Sequence, residues 1–113
     1  MTKIVYIAHP ISGDIKGNLD KIIKIIRHIN LTEPDVVPFA HYWVDCHALD
    51  DDDCKSERER GIRNDAEFFN RGLIDELWLY GDRISNGMQE EIKTCRRLNI
   101  PVVLKDDRII EEY

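Results

Sequence analysis

The sequence predicts a single α/β domain built on a mainly parallel sheet with helices on both of its faces. Apolar runs of strand length alternate with amphipathic segments of helix length, in the order strand, helix, strand, helix, strand, helix, strand. The 113 residues are enough for one hydrophobic core but not for two, so we treat residues 1–113 as one domain. We expect four to five strands joined by right-handed crossovers, a doubly wound arrangement. Polar loops follow the first three strands, which is where such sheets bind ligands.

The first strand is predicted at residues 3–9, an apolar run that ends at Pro10. After a loop at residues 10–17, Asn18 is expected to cap the first helix, and Pro34 is expected to end it. The apolar positions of this helix recur at helical spacing and are Leu19, Ile22, Ile23, Ile26 and Ile29.

The second strand is predicted at residues 35–40, where a proline favours the edge of the sheet. Residues 41–55 are expected to form a polar loop. Ser56 and Glu59 then form a capping box at the start of the second helix. Its inward stripe is expected to contain Ile62, Ala66, Phe69 and Leu73. Asp65 falls on that stripe, where an apolar residue is the usual choice.

The third strand is predicted at residues 76–81, and a third helix begins near Ser85 or Asn86. A fourth strand follows at residues 100–105. The tail at residues 106–113 is compatible with either an edge strand or a cap on the sheet.

Two consecutive glutamates in the third helix are predicted to point in different directions. Its apolar stripe contains Met88, Ile92, Cys95 and Leu98. Glu91 lies on this stripe, whereas Glu90 belongs to the solvated face. A carboxylate on a core-facing stripe loses hydration and therefore needs a partner or a function. The alternatives are that Glu91 reaches solvent sideways, or that it and Asp65 have arginine partners. The candidates for such partners are Arg60, Arg63, Arg71 and Arg83.

The composition narrows the class of partner. Acidic residues outnumber basic ones by 22 to 16, for a net charge of -6, so a nucleic-acid polymer is not expected to bind. The apolar start is too short for a membrane segment or a signal peptide, so no membrane partner is expected. Cys46, Cys54 and Cys95 form no CxxC pair, which is typical of a reducing compartment, and we expect a cytoplasmic protein.

Three further motifs leave alternatives open. The stretch GDRISNGM offers backbone amides at a helix N-terminus for a small anion, or simply a cap formed by Ser85 or Asn86. It matches neither a dinucleotide fingerprint nor a Walker loop, and we expect no cofactor. Trp43 either stacks on a base as a lid or covers the sheet edge. His41, Cys46, His47 and Cys54 match no zinc spacing, and we expect no metal.

The pairing of Asp65 with Glu91 suits glycosidic chemistry. In that reaction one carboxylate attacks the anomeric carbon and a second assists the leaving group. A retaining mechanism requires the two carboxyl groups to lie about 5 Å apart.

Four segments of the chain resemble the nucleoside 2-deoxyribosyltransferase-like superfamily, including its small, often phage- or prophage-encoded branch. They are YIAHPISG with Asn18 after it, DELWLYGDRIS at 75–85, SNGMQEEI at 85–92, and NIPVV. Characterised relatives include 2′-deoxynucleoside 5′-monophosphate N-glycosidases. The resemblance implies a flavodoxin-like or Rossmann-like fold and a glutamate nucleophile six residues after a serine or aspartate, which here is Glu91. It also implies that Asp65 assists at the base or sugar, and that Tyr6 supports the nucleophile.

The resemblance also implies a binding site for the 5′ end of a nucleotide. Ser85 and the amides of Asn86 and Gly87 would hold that end. The loop after the first strand would add His9, Ser12 and Gly13, and Trp43 completes the expected substrate-binding set. Two positions depart from the family pattern. Pro10 stands where the family has a serine, and Gln89-Glu90 replaces a glycine.

We therefore expect an enzyme that cleaves or transfers the N-glycosidic bond of a nucleoside, a deoxynucleoside or a 5′-monophosphate through a glycosyl-enzyme on Glu91. The relatives also imply a homodimer or a higher homo-oligomer. The alternative is a nucleotide-binding or sequestering module without catalysis. The base, the sugar, the need for a phosphate and the acceptor stay open.

Overall fold

The structure is a computed structural model that describes residues 1–50 and 54–109. Its elements are, in order, β1 (Lys3–Ala8), α1 (Ile15–Thr32), β2 (Val36–Phe39), α2 (His41–Ala48), α3 (Lys55–Asn70), β3 (Glu76–Leu79), α4 (Asn86–Arg97), β4 (Val102–Leu104) and a 3-10 helix (Asp107–Ile109). The four strands form one parallel sheet in the order β2-β1-β3-β4. The predicted doubly wound, Rossmann-like and flavodoxin-like α/β fold is confirmed.

Helices cover both faces of the sheet because successive residues of a strand point to opposite sides. On one face, Val5, Ile7 and Trp78 pack with Ile29 of α1. On the other face, Tyr6 and its neighbours in β3 pack with residues of α3 and α4. This second group contains Tyr6, Ala8, Leu77, Leu79, Phe69, Met88, Ile92 and Cys95. The strand order reverses between β1 and β3, so the ligand-binding crevice of this fold is expected at their carboxyl ends.

The first helix begins before the residue predicted to cap it. Asp14 is the N-cap, and its side chain accepts a hydrogen bond from the backbone N–H of Gly17. Asn18 lies inside α1 and its amide donates to the carbonyl of Ile11 at 2.9 Å, so the prediction of Asn18 as the cap is wrong. Ile23, predicted to face the core, is exposed.

The predicted loop at 41–55 contains helix α2, so that prediction is wrong for residues 41–48. Two side chains of α2 attach it to the rest of the domain. The Tyr42 hydroxyl donates to the carbonyl of Ile7 at 2.6 Å, and the Trp43 indole N–H donates to the carbonyl of Leu19 at 3.0 Å. These contacts come from distant parts of the chain, which the local polar pattern of the segment did not indicate.

Helix α3 is rotated relative to its predicted stripe. It has Cys54 at the N-cap, and Ser56 lies within the helix, so the predicted capping box is wrong. Ile62 is 63% exposed, and Leu73 lies beyond the helix and is also exposed. A polar contact explains the rotation, because the buried Asp45 of α2 accepts a hydrogen bond from the Asn64 amide at 3.4 Å. Phe69 is buried as predicted.

The third predicted helix is confirmed as α4. Ser85 is its N-cap, and the hydroxyl accepts a hydrogen bond from the backbone N–H of Met88. Met88, Ile92 and Cys95 are buried and Glu90 is exposed, as the periodicity predicted.

The described part of the tail forms a cap and not an edge strand. Ile109 in the 3-10 helix is buried in the core, and residues 110–113 lie outside the described part of the chain. Within residues 1–50 and 54–109, no helix has the length and apolar character needed to cross a membrane.

Candidate active site

Tyr6 connects the two carboxyl groups that the sequence singled out. It lies in β1, a central strand, and is completely buried. Its hydroxyl donates to Oδ2 of Asp65 on α3 at 3.0 Å. The same phenol also interacts with the side chain of Glu91 on α4. Three elements that are far apart in the sequence therefore meet at one phenol oxygen.

Aromatic rings hold this phenol in place from three sides. The ring of Tyr6 lies 4.8 Å from that of Phe69, 5.7 Å from that of Tyr42 and 6.1 Å from that of Phe39, measured between centroids. These neighbours come from α3, α2 and β2. The packing fixes the position of the hydroxyl, and through it the positions of the two carboxyl groups.

The shared phenol limits the distance between Asp65 and Glu91. Because both carboxyl groups interact with the same phenol, they lie on the same wall of the site. A retaining glycosidase needs its two carboxyl groups about 5 Å apart, and an inverting enzyme needs a wider spacing.

Burial and charge make Glu91 a weak acid. Its pKa is raised to about 8, chiefly by burial; the interaction with Tyr6 opposes the rise, and the negative charge of Asp65 adds to it. Burial and the two carboxyl groups also raise the pKa of the Tyr6 phenol well above its ordinary value. At neutral pH, Glu91 therefore holds a proton. One proton is then available to a pair of carboxyl groups that are linked by a phenol.

A cavity of about 560 Å³ opens above this pair. Asp65 and Glu91 both line it, and Tyr6 lies behind them. The predicted binding residues His9, Ser12, Ser85, Asn86 and Gly87 line it as well. A volume of this size is within the usual range for sites that bind small molecules.

One end of the cavity has the features of an anion site. Ser85, Asn86 and Gly87 bring the N-terminus of α4 to the wall, where backbone amides and the helix dipole favour negative charge. Arg83 lines the same wall, and its Nη2 donates to the carbonyl of Ser12 at 2.8 Å. Arg58 lines the cavity too. Guanidinium groups bind phosphates well because their planar donors can form two parallel hydrogen bonds.

The structure does not bring Trp43 to this cavity. Its indole bonds to α1, and its ring lies against His47, so the expected role as a lid on the substrate is not supported. Tyr42, the preceding residue, lines the cavity instead, together with Cys46 and Leu49. These three share one side of a helix at i, i+4 and i+7, so a helical interpretation of residues 41–48 would have identified Tyr42.

His9 lies at the carboxyl end of β1 and is only 8% exposed. Its Nδ1 is 2.7 Å from the carbonyl oxygen of Pro10, which can only accept, so Nδ1 carries the hydrogen. Burial lowers the pKa of the imidazole, which favours its neutral form. The other ring nitrogen, Nε2, is then an acceptor next to the cavity.

Pro10 is in close contact with the end of the neighbouring strand. Gly81 has φ +100, and a Cβ atom at this position would lie 2.5 Å from Cδ of Pro10. Pro10 is therefore part of the packing between the loops after β1 and β3. Gly13, another predicted binding residue, lines a smaller cavity next to the main one.

Three of the four arginine side chains considered as partners for the two carboxylates make other contacts. Arg60 donates to Asn64, Arg71 pairs with Glu67, and Arg83 donates to Ser12. Among the residues that the structure describes, His, Cys, Asp and Glu side chains form no group of three placed to hold a metal ion.

Residues 3–105 match the model of a family described as a domain of unknown function (DUF7768). The match covers nearly the whole chain, and the chain belongs to this family. No curated protein and no solved structure matches it.

Proposed function

We propose that this member of the family cleaves or transfers the N-glycosidic bond of a nucleoside, deoxynucleoside or nucleoside 5′-monophosphate. The observation that carries the proposal is the pairing of Glu91 and Asp65 through Tyr6 at the wall of a cavity. The resemblance to nucleoside 2-deoxyribosyltransferase-like proteins assigns the same three residues to the reaction. It rests on motifs from several parts of the chain, and so does not depend on this geometry.

In the proposed reaction, a carboxylate oxygen of Glu91 attacks C1′ of the sugar. The bond from C1′ to the base nitrogen breaks, and its electron pair leaves with the base, which takes up a proton. A covalent glycosyl-enzyme results. Water, or the nitrogen of a second base, then attacks C1′ and releases the Glu91 carboxylate. The proton lost by the attacking group goes to Asp65.

The proton held by Glu91 is the one that the departing base needs. When the substrate binds, Glu91 passes its proton to the Tyr6 oxygen and Tyr6 passes its own proton to Asp65. Glu91 becomes a carboxylate that accepts a hydrogen bond from Tyr6, and Asp65 becomes a carboxylic acid next to the base. A nucleophile and an acid thus form from one proton, which is the division of roles expected of two carboxyl groups in unequal surroundings.

The 5′ end of the substrate is assigned to the anion site at the start of α4. Ser85 and the nearby amides would accept a hydroxyl or a phosphate there, and Arg83 would add a positive charge. The base would then lie toward Tyr42, Cys46 and Leu49.

The test is base release from a panel of ribo- and deoxyribonucleosides and their 5′-monophosphates, each with and without a second free base, followed by chromatography. We expect free or exchanged base with the wild-type protein and none with Glu91→Gln. Glu90→Gln is the matched control, because Glu90 is adjacent in sequence but exposed, and it pairs with the exposed Lys93. Undiminished activity in Glu91→Gln would exclude the proposed nucleophile.

A second candidate is a module that binds a nucleotide without altering it. The packing of Pro10 against Gly81 favours it, because a proline supplies neither a hydroxyl nor a backbone N–H. The nucleoside 2-deoxyribosyltransferase-like proteins that the chain resembles have a phosphate-contacting serine there. Under this alternative, nucleotides from the panel raise the melting temperature and are recovered intact.

We also propose that the protein is a homodimer or a higher homo-oligomer in the cytoplasm. Val44 and Ile62 expose apolar side chains on α2 and α3, which pack against each other, and such a surface suits a subunit contact. Within the described residues the cysteines form no disulfide, which suits a reducing compartment. Sedimentation analysis of the purified protein would test the oligomeric state.

A further inference from the structure

A second cavity of about 350 Å³ adjoins the candidate active site. The two cavities share three wall residues, His9, Ser12 and Arg83. The shared wall lies next to the end of the main cavity assigned to the 5′ end of the substrate. A group attached beyond the 5′ position would therefore reach the second cavity directly.

His9 lies at the junction between the two cavities. More than nine-tenths of the residue is buried, and Nδ1 is occupied by the Pro10 carbonyl. Nε2 is the ring nitrogen left to face a bound group. When the imidazole takes up a proton, Nε2 donates to an oxygen of a bound phosphoryl group.

The second cavity carries positive charge from three separate elements. Lys21 comes from α1, Arg83 from the loop after β3, and Arg108 from the 3-10 helix. Asp106 orients Arg108 by accepting hydrogen bonds from Nη2 at 2.6 Å and from Nε at 3.0 Å. Cations held in position in this way are typical of phosphate sites.

Two aspartates, Asp14 and Asp82, also line this cavity. The Asp14 carboxylate caps α1 by accepting the Gly17 N–H, so part of its charge is used within the protein. Asp82 is exposed to solvent, where its charge is well hydrated and screened. Gly13, with φ +96, leaves the space beside Arg83 free of a side chain.

We propose that the second cavity binds a second phosphoryl group attached to the 5′-phosphate. The preferred substrates would then be nucleoside 5′-diphosphates, or dinucleotides whose pyrophosphate spans the junction at His9. This inference rests on the proposed function, because it takes the 5′ end to lie at the start of α4. Lys21 and Arg108 would contact the second phosphoryl group, and Arg83 would lie between the two phosphates.

The test compares the binding of matched ligands by isothermal titration calorimetry. Glu91→Gln protein is titrated with deoxynucleoside 5′-monophosphates, the corresponding 5′-diphosphates, pyrophosphate-linked dinucleotides and inorganic pyrophosphate. We expect a diphosphate to bind about tenfold more tightly than its monophosphate, since charged hydrogen bonds add to the affinity. The dinucleotides distinguish a terminal second phosphate from a bridging one.

Two further variants of the Glu91→Gln protein test whether Lys21 and Arg108 cause the preference for the diphosphate. Adding Lys21→Ala and Arg108→Ala together should reduce the tenfold preference to about threefold or less. Lys24→Ala is the matched control, because Lys24 lies one turn further along α1, is exposed and lines neither cavity. It should leave the preference unchanged.

Equal affinity for monophosphate and diphosphate would overturn the inference. So would an equal loss of affinity for both ligands in the double variant. Base release from a monophosphate without any preference for the diphosphate would overturn this inference alone and leave the proposed function standing. Tight binding of the diphosphate without base release from any ligand by the wild-type protein would overturn the proposed function and retain the phosphate site.

Discussion

Replacing Glu91 by glutamine should stabilise the protein at alkaline pH. Glutamic acid ordinarily has a pKa of 4.5, and burial raises that of Glu91 to about 8. Between these values the folded protein retains a proton that the unfolded chain has lost. Stability from this group is therefore complete below pH 4.5 and is lost as the pH rises toward about 8. Glutamine carries no charge at any pH, so the variant avoids this loss.

The size of the effect follows from the pKa. A tenfold change in proton affinity corresponds to about 1.4 kcal/mol, so a pKa of about 8 in place of 4.5 sets an upper limit of about 5 kcal/mol. Glu91 faces a cavity that water can enter, which screens part of its charge. We therefore expect Glu91→Gln to raise the free energy of unfolding by about 3 kcal/mol at pH 9, relative to its effect at pH 5.

Urea denaturation of wild-type and Glu91→Gln protein at intervals from pH 5 to pH 9 measures this difference. Glu90→Gln is again the control, since Glu90 is exposed and its substitution should shift stability by similar small amounts at every pH. Titrating groups away from this site affect the variants and the wild type alike, so the difference between them reports on the site. A Glu91→Gln effect that does not vary with pH would refute the assignment of a buried, weakly acidic Glu91.

Two further predictions concern the residues around the site. Tyr6→Phe removes the interaction that lowers the pKa of Glu91. Base release should therefore fall about tenfold or more at pH 7, and its pH profile should move to higher pH. An unshifted profile would contradict the role of the phenol. Gly81→Ala should lower the free energy of unfolding by roughly 2 kcal/mol more than Gly72→Ala, because both glycines have positive φ but only the new methyl at position 81 meets Pro10. Equal losses in urea denaturation would show that the proline ring moves aside.

The parts of the site that the sequence predicted are those set by local periodicity. Glu91 and Asp65 were identified as carboxylates on inward stripes, and Ser85 as a helix cap, because each depends on residues within two turns. The connection through Tyr6 was expected only from the family resemblance. It joins positions separated by 59 residues for Asp65, and no spacing rule gives such a contact.

The errors occur where distant contacts decide the local structure. Residues 41–48 look like a loop in sequence, yet they form a helix because Tyr42 and Trp43 bond to backbone carbonyls of β1 and α1. The stripe of α3 was misplaced for a similar reason, since the buried Asp45 attracts Asn64 and turns Ile62 outward. Tertiary contacts override helix propensity and hydrophobic pattern in both cases.

The contact between Pro10 and Gly81 also limits how this protein can change over time. A side chain at position 81 would collide with the proline ring, whereas a smaller residue at position 10 would relieve the collision. Because φ is +100 at position 81, glycine is favoured there even without the proline, so position 10 can change more easily than position 81. We therefore expect relatives to keep glycine at position 81 whichever residue stands at position 10, although neither position contacts a reacting atom in the proposed mechanism.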